Sequence, residues 1–341
     1  MLWNFFAVPS ALNNVVAHTS YYGVTAYAWS ASGFGTKYAD IPSCPVSSRG
    51  VSFTPSGNTA IVGNSNSPYI YAYPWSASGF GTKYADPSLL TTGMSINMAI
   101  NPAGTAIAMG NMTDVGVAAY PWSASGFGTK YAAPATLPAA QTKFIKFSPG
   151  GDAVIANGWG SPSVSAYAWS ASGFGTKYAA PSGWTAENST GIAFTPSGTS
   201  VIFGNNAAPC LFAYAWSAGG FGVRYSDATT PPSTNINDIA INPAGDTIAL
   251  AMYDSPYICA YPWSTGGFGT RYANPATTPT ASSGQSPVFS TDGKSLLLAH
   301  YGTPFITAYA WSASGFGTKY AAPATLPAAN GMGITVSLLA A

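Results

Sequence analysis

The decapeptide WSASGFGTKY, at residues 29–38, returns six more times along the chain with few changes. The motif tryptophans are Trp29, Trp75, Trp122, Trp169, Trp216, Trp263 and Trp311, spaced 46 to 48 residues apart. Seven such units account for nearly all of the 341 residues. A unit of this size cannot bury both of its faces alone, so neighbours must stack on one another. That requirement constrains the fold more than any other feature of the sequence.

Each unit reads as four short strands, A to D. In the sixth, NDIAIN precedes a PAG turn, DTIALAM is closed by YDSP, and YICAYPWS turns through TGG into FGTRYANP. β-Branched and aromatic residues alternate with Gly, Pro, Ser and Asn punctuation, and no window holds a 3.6-residue period. The A–B turn recurs as TPSG, NPAG, SPGG and STDG, with Pro or its substitute at the first central position and Gly closing the turn. The sequence therefore predicts an all-β, seven-bladed β-propeller with four-stranded antiparallel blades. It forms one domain over 1–341, with blades near 1–44, 45–91, 92–138, 139–185, 186–232, 233–280 and 281–329 and a closing strand at 330–341. Both LWNFFAVP at the N-terminus and NGMGITVSLLAA at the C-terminus resemble a strand A, giving eight candidates for seven places. Either the C-terminal strand clasps blade one and frees the N-terminus, which is the preferred reading, or one end makes an added strand.

Four aromatic positions recur in every unit. On strand C they are the tryptophans above and Tyr27, Tyr73, Tyr120, Tyr167, Tyr214, Tyr261 and Tyr309. On strand D they are Phe34, Phe80, Phe127, Phe174, Phe221, Phe268 and Phe316, then Tyr38, Tyr84, Tyr131, Tyr178, Tyr225, Tyr272 and Tyr320. Strand alternation puts Tyr27 with Trp29, and Phe34 with Tyr38, on shared faces. Packing between blades is the simpler role for these rings; a rim of sugar-stacking platforms is the alternative. A basic residue precedes each strand-D tyrosine and takes seven of the 11 Lys and Arg. On an outer edge strand such a charge blocks sheet-to-sheet aggregation.

Charged residues make up 6% of the chain and the net charge is +1, which leaves no basic field for nucleic acid. No apolar run is long enough to span a bilayer, and the N-terminus lacks the positive start of a signal peptide. Three cysteines, Cys44, Cys210 and Cys259, do not make a disulfide framework. The acidic residues, including the single Glu187, are scattered over different blades with no carboxylate pair, and no phosphate loop or calcium loop stands out. No cofactor or metal is expected.

The A–B and C–D loops emerge on one face and barely vary, whereas the B–C and D–A loops emerge on the other and do. Loops on a rigid scaffold concentrate function, so the varied face is the expected partner-binding surface. Its candidates are Asn64, Asn111, Trp159, Trp184, Asn205, Tyr253 and Asp254, with His18 and His300 in one slot 11 residues before the motif Trp of units that ring closure makes neighbours.

The FSPGG turn at 147–151 and the strand-C tryptophan make the chain similar to seven-bladed propellers of the WD-repeat type. No Gly-His pair precedes strand A, and Ser30 and its equivalents stand where those blades place Asp, so their His–Asp network is not implied. The phrase WSASGFGTKYADP also resembles repeat proteins encoded by tailed bacteriophages. With too few polar residues expected at the axis for catalysis, the reading is a non-enzymatic virion component: a tail, fibre or capsid-surface propeller. Its partners would be other virion proteins and host-surface glycan, with a homo-oligomer possible and no nucleic-acid binding or membrane insertion. A lectin-like propeller outside a virion is the alternative.

Overall fold

The computed structural model describes residues 14–41, 46–91, 93–112, 116–139, 141–185, 188–280 and 282–338. The N-terminal strand-A candidate, Cys44 and Glu187 lie outside them. Seven antiparallel four-stranded sheets follow one another, each running from an inner strand A to an outer strand D. Blades two to seven take their inner strands from Ser48–Phe53, Met98–Ile100, Thr142–Phe147, Ser189–Phe194, Ile236–Ile241 and Ser283–Phe289. In blade one the inner strand is Gly331–Leu338, which pairs antiparallel with Asn14–Ser20. The C-terminal strand is thus the clasp, and the ring closes between blades seven and one. Among the described residues no helix is long and apolar enough to cross a membrane.

The repeated aromatics build the seams. Each strand-D tyrosine packs edge-on against the tryptophan of the next blade, at ring distances of 4.9 to 5.5 Å, from Tyr38–Trp75 round to Tyr320–Trp29. On its other side each tryptophan meets the phenylalanine of its own blade at 4.6 to 5.0 Å. Edge-to-face pairs contribute about 0.5–1.5 kcal/mol beyond burial. The tryptophans are only 3–7% exposed, so they are packing residues and not open sugar platforms. Strand-C tyrosines are buried too, and the hydroxyls of Tyr27, Tyr120, Tyr167, Tyr261 and Tyr309 donate to carbonyls of the preceding D–A loop at 2.7 to 2.9 Å. The hairpin glycine lies against the strand-D tyrosine of the preceding blade. Gly173 has φ +95°, and a Cβ there would lie 2.8 Å from the Tyr131 ring.

Two details differ from simple alternation. Phe34 and Tyr38 face opposite seams, because a bulge inserts one residue between the pairs Trp29↔Phe34 and Tyr27↔Lys37 and reverses the parity of strand D. Strand D is five residues long where strand C carries Ala28, Ala168, Ala215 or Ala310, and two residues long where it carries Pro74, Pro121 or Pro262. Proline has no N–H to give the ladder, so one bond is missing there, while the next, from the Tyr84 N–H to the Ala72 carbonyl at 2.9 Å, forms as it does from Tyr38 to Ala26. The edge cations are tied locally, as in Lys37–Asp40, Lys83–Asp86 and Arg224–Asp227.

Candidate functional site

The inner strands surround an axial channel of two compartments, about 380 and 210 Å³, that share Gly50, Asn97, Asp238, Ser286 and Gly333. The larger opens toward the A–B turns past Ser52, Lys146, Ala193, Val288 and Thr335. The smaller opens on the varied face, past Arg49, Lys143, Asn237, Gln285, Tyr301 and Met332.

At the shared waist stands Asp238, the one carboxylate among the described residues that line the channel. Its Oδ2 accepts from the Ser286 hydroxyl at 2.8 Å and its Oδ1 from the Ile239 N–H at 2.8 Å. Its strand is sutured on both sides. Asn237 donates to the Gly284 carbonyl at 2.6 Å and to the Ser283 hydroxyl at 3.1 Å. Thr190 donates to the Ile236 carbonyl. Gly191, at φ +67°, lets the backbone come so close that a Cβ would lie 2.9 Å from Asp238 Cα. Burial lifts the Asp238 carboxyl above the ordinary carboxylate range, against the opposing pull of Lys146, the two hydrogen bonds and Lys143.

Three cations face the same space. Lys143 is lowered by burial and by Arg49, with Asp238 pulling the other way, and its ammonium lies 4.9 Å from the Trp159 ring centre. Arg49 donates through Nε to Ser65 Oγ at 2.7 Å. Lys146 is within electrostatic reach of Asp238. Yet among the described residues the only ion pairs are those of the outer edge. The axial charges sense each other across open space without touching.

This cluster was missed in the sequence, although signals for it exist. Outside the seven motif positions the chain has four basic residues, Arg49, Lys143, Lys146 and Lys294, and three of them are axial. Five residues before the A–B turn proline or its equivalent stand Gly50, Asn97, Phe144, Gly191, Asp238 and Ser286, and only one of these is charged.

The residues expected on the varied face are placed as follows. Asn64, Asn111, Asn205, His18 and His300 share one slot at the end of strand B and are all buried. Where the closing bond is seen, the slot's N–H takes the carbonyl five residues on, as in Asn64 to Tyr69 at 2.9 Å and His300 to Phe305 at 3.0 Å. His18 has no hydrogen bond on either ring nitrogen, and burial, with neighbouring His300, pushes it down to about 3. His300 Nε2 meets Thr307 Oγ1 at 2.9 Å. No cluster of metal-binding side chains occurs among the described residues. Trp184 packs on Phe203 and Phe212. Tyr253 is exposed, and Asp254 accepts from Thr234 at 2.6 Å. Of this set Trp159 alone touches the axial cluster, through Lys143. Cys210 and Cys259 are buried free thiols.

The fold and this site define a seven-bladed propeller with a charged polar axis. Among solved structures the chain is similar to the periplasmic gluconolactonase of Pseudomonas aeruginosa, with a TM-score of 0.76 at 13% identity over 96% of this chain and 99% of that one. It is similar to a candidate 6-phosphogluconolactonase of Bacteroides fragilis, with a TM-score of 0.70 at 14% identity over 97% and 99%. It also matches the Cps50 propeller domain of Myceliophthora thermophila, with a TM-score of 0.59 at 11% identity over 81% and 87%. No protein-family model matches the sequence, and no curated protein matches it. Identities this low establish the fold alone.

Three expectations are corrected. The non-catalytic reading rested on an axis poor in polar groups, and the axis instead gathers Arg49, Lys143, Lys146 and Asp238. The virion role falls with it, because the first two propellers compared are described as lactonases and not as particle proteins. The virion location loses its support as well, the first of them being periplasmic. Neither comparison points to a lectin.

Proposed function

We propose that this protein hydrolyses a lactone, of the sugar-acid type, at the waist of the axial channel. The observation that carries the reading is Asp238: a carboxylate with a raised pKa, held by two hydrogen bonds, lining both compartments of an open, ligand-sized channel within electrostatic reach of Lys146 and Lys143. The resemblance to gluconolactonase propellers supports the substrate class.

Hydrolysis needs a base for water and positive charge for the oxygen that becomes anionic. Asp238 takes a proton from a channel water as the water oxygen attacks the lactone carbonyl carbon. Lys146 stabilises the tetrahedral oxyanion. Collapse breaks the bond from carbonyl carbon to ring oxygen, and Asp238 returns the proton to that oxygen. Lactone and water give one hydroxy acid, and Asp238 ends as it began. A base poised above the ordinary aspartate range works closer to neutral pH.

The test is proton release from D-glucono-δ-lactone in a pH-stat, above the spontaneous rate. The wild type accelerates release, with an acid limb above the ordinary aspartate value of about 4. Asp238→Asn lowers kcat by about 10²–10⁴ with the melting temperature kept. No acceleration by the wild type, or an undiminished rate in Asp238→Asn, overturns the reading.

A further inference from the structure

The charges of the channel are not balanced. Arg49, Lys143 and Lys146 face one carboxylate, in a chain whose net charge is +1. Two of the three, Arg49 and Lys143, stand together at the mouth on the varied face. Neither is spent on an acid there. Arg49 bonds a serine hydroxyl and lies 3.9 Å from the Met332 sulfur, and Lys143 rests on the Trp159 ring. Tyr301, whose hydroxyl points to the same sulfur at 3.3 Å, walls the mouth beside them. Partly buried cations held close without a counter-ion are costly unless something anionic completes them. Elsewhere the chain does supply partners: Lys37, Lys83 and Arg224 each have an aspartate three residues on.

Resting on the lactonase reading, we infer that the substrate carries a second, anionic group, a phosphate or a carboxylate, which is gripped by Arg49 and Lys143 at the mouth on the varied face while the lactone ring lies at Asp238. The molecule then enters and leaves by the varied face, anionic end outermost. An uncharged sugar lactone leaves the two cations unpaired and is a poor substrate.

Three lactones separate the cases: D-glucono-δ-lactone, its 6-phosphate, and D-glucaro-1,4-lactone, which offers a carboxylate in place of the phosphate. The quantity read is kcat/KM for each charged lactone relative to the uncharged one, in wild type, Lys143→Met and Lys143→Arg. The wild type favours a charged lactone, and which one it favours names the anion. Lys143→Met cuts that preference by about tenfold or more, the value of a charge-assisted hydrogen bond, and Lys143→Arg retains most of it. Equal use of all three lactones by the wild type, or a preference that Lys143→Met leaves untouched, overturns the inference. If no lactone is hydrolysed, calorimetry with 6-phosphogluconate and with glucarate decides. Binding that Lys143→Met abolishes upholds the anion site while the hydrolytic reading falls, and no binding of either overturns the anion site.

Discussion

The outer hairpin and the inner strand of each blade are built under opposite rules. The hairpin is written seven times with the same four rings, and every ring has a packing partner. The inner strand is never written the same way twice at the positions that face the axis. There, one blade offers Asp238, another Lys143 and Lys146, another Arg49, and others Gly191 or Ser286. Repetition satisfies a requirement shared by all seven seams. Departure from repetition marks a demand that arises once, where seven strands meet around a single ligand.

The sharpest way to break this contrast is to injure the hairpin and watch the axis. Trp263→Ala removes a ring held between Tyr225 and Phe268. It should cost about 3–5 kcal/mol in denaturant unfolding, while the surviving folded molecules keep their turnover per active site. A Trp263→Ala protein of normal stability, or one that is folded but inactive, would blur the division.

A smaller effect sharpens the comparison at the seam where the ring closes. The two histidines of the chain lie at the ends of strand B in blades one and seven, and His18 is packed so tightly against the clasp that a Cβ on Gly331 would lie near its Nε2. The folded pKa of His18 is depressed, to about 3 from 6.5, so between those values the unfolded chain binds more protons than the folded one. Stability is therefore lost as pH falls below 6.5, at about 1.4 kcal/mol per pH unit. The charged and titratable groups around the pair are His300 itself, Lys319, Tyr301 and Arg49; the shift of His300 has the same sign, and Lys319 lowers it further. Unfolding free energy measured at pH 6.5 and pH 5 should differ by about 2 kcal/mol. His18→Asn, which installs the residue that Asn64, Asn111 and Asn205 bring to the same slot, should remove most of that difference. An unchanged slope in the variant would place the acid sensitivity elsewhere.

Much of the fold was legible because hairpin rings, turn residues and spacing all answer to one local geometry that recurs seven times. The clasp was only half legible: GMGITVSL has the pattern of an inner strand, but so does LWNFFAVP, which left two candidates for one place. Strand D was harder. Neither the bulge that turns Tyr38 away from Phe34 nor the shortening opposite Pro74 follows from alternation alone; the first adds a residue to the ladder and the second takes an N–H from it. The axial site was the least visible. Its residues come from blades two, four, six and seven, far apart in the chain, and only ring closure brings them together. Averaging over repeats hides them, because each is the exception in its own column. Asn64, Asn205 and His300 misled in the reverse sense: they vary between blades, yet they do one structural job that depends on the backbone of the slot more than on its side chain.

The most direct measurement of the central claim is where a hydrolysis product sits. A crystal soaked with an aldonic acid should show it in the axial channel, its new carboxylate at Asp238 and Lys146 and its far end toward Arg49 and Lys143. Density confined to sites outside the channel, with the axis holding only water, would contradict the account.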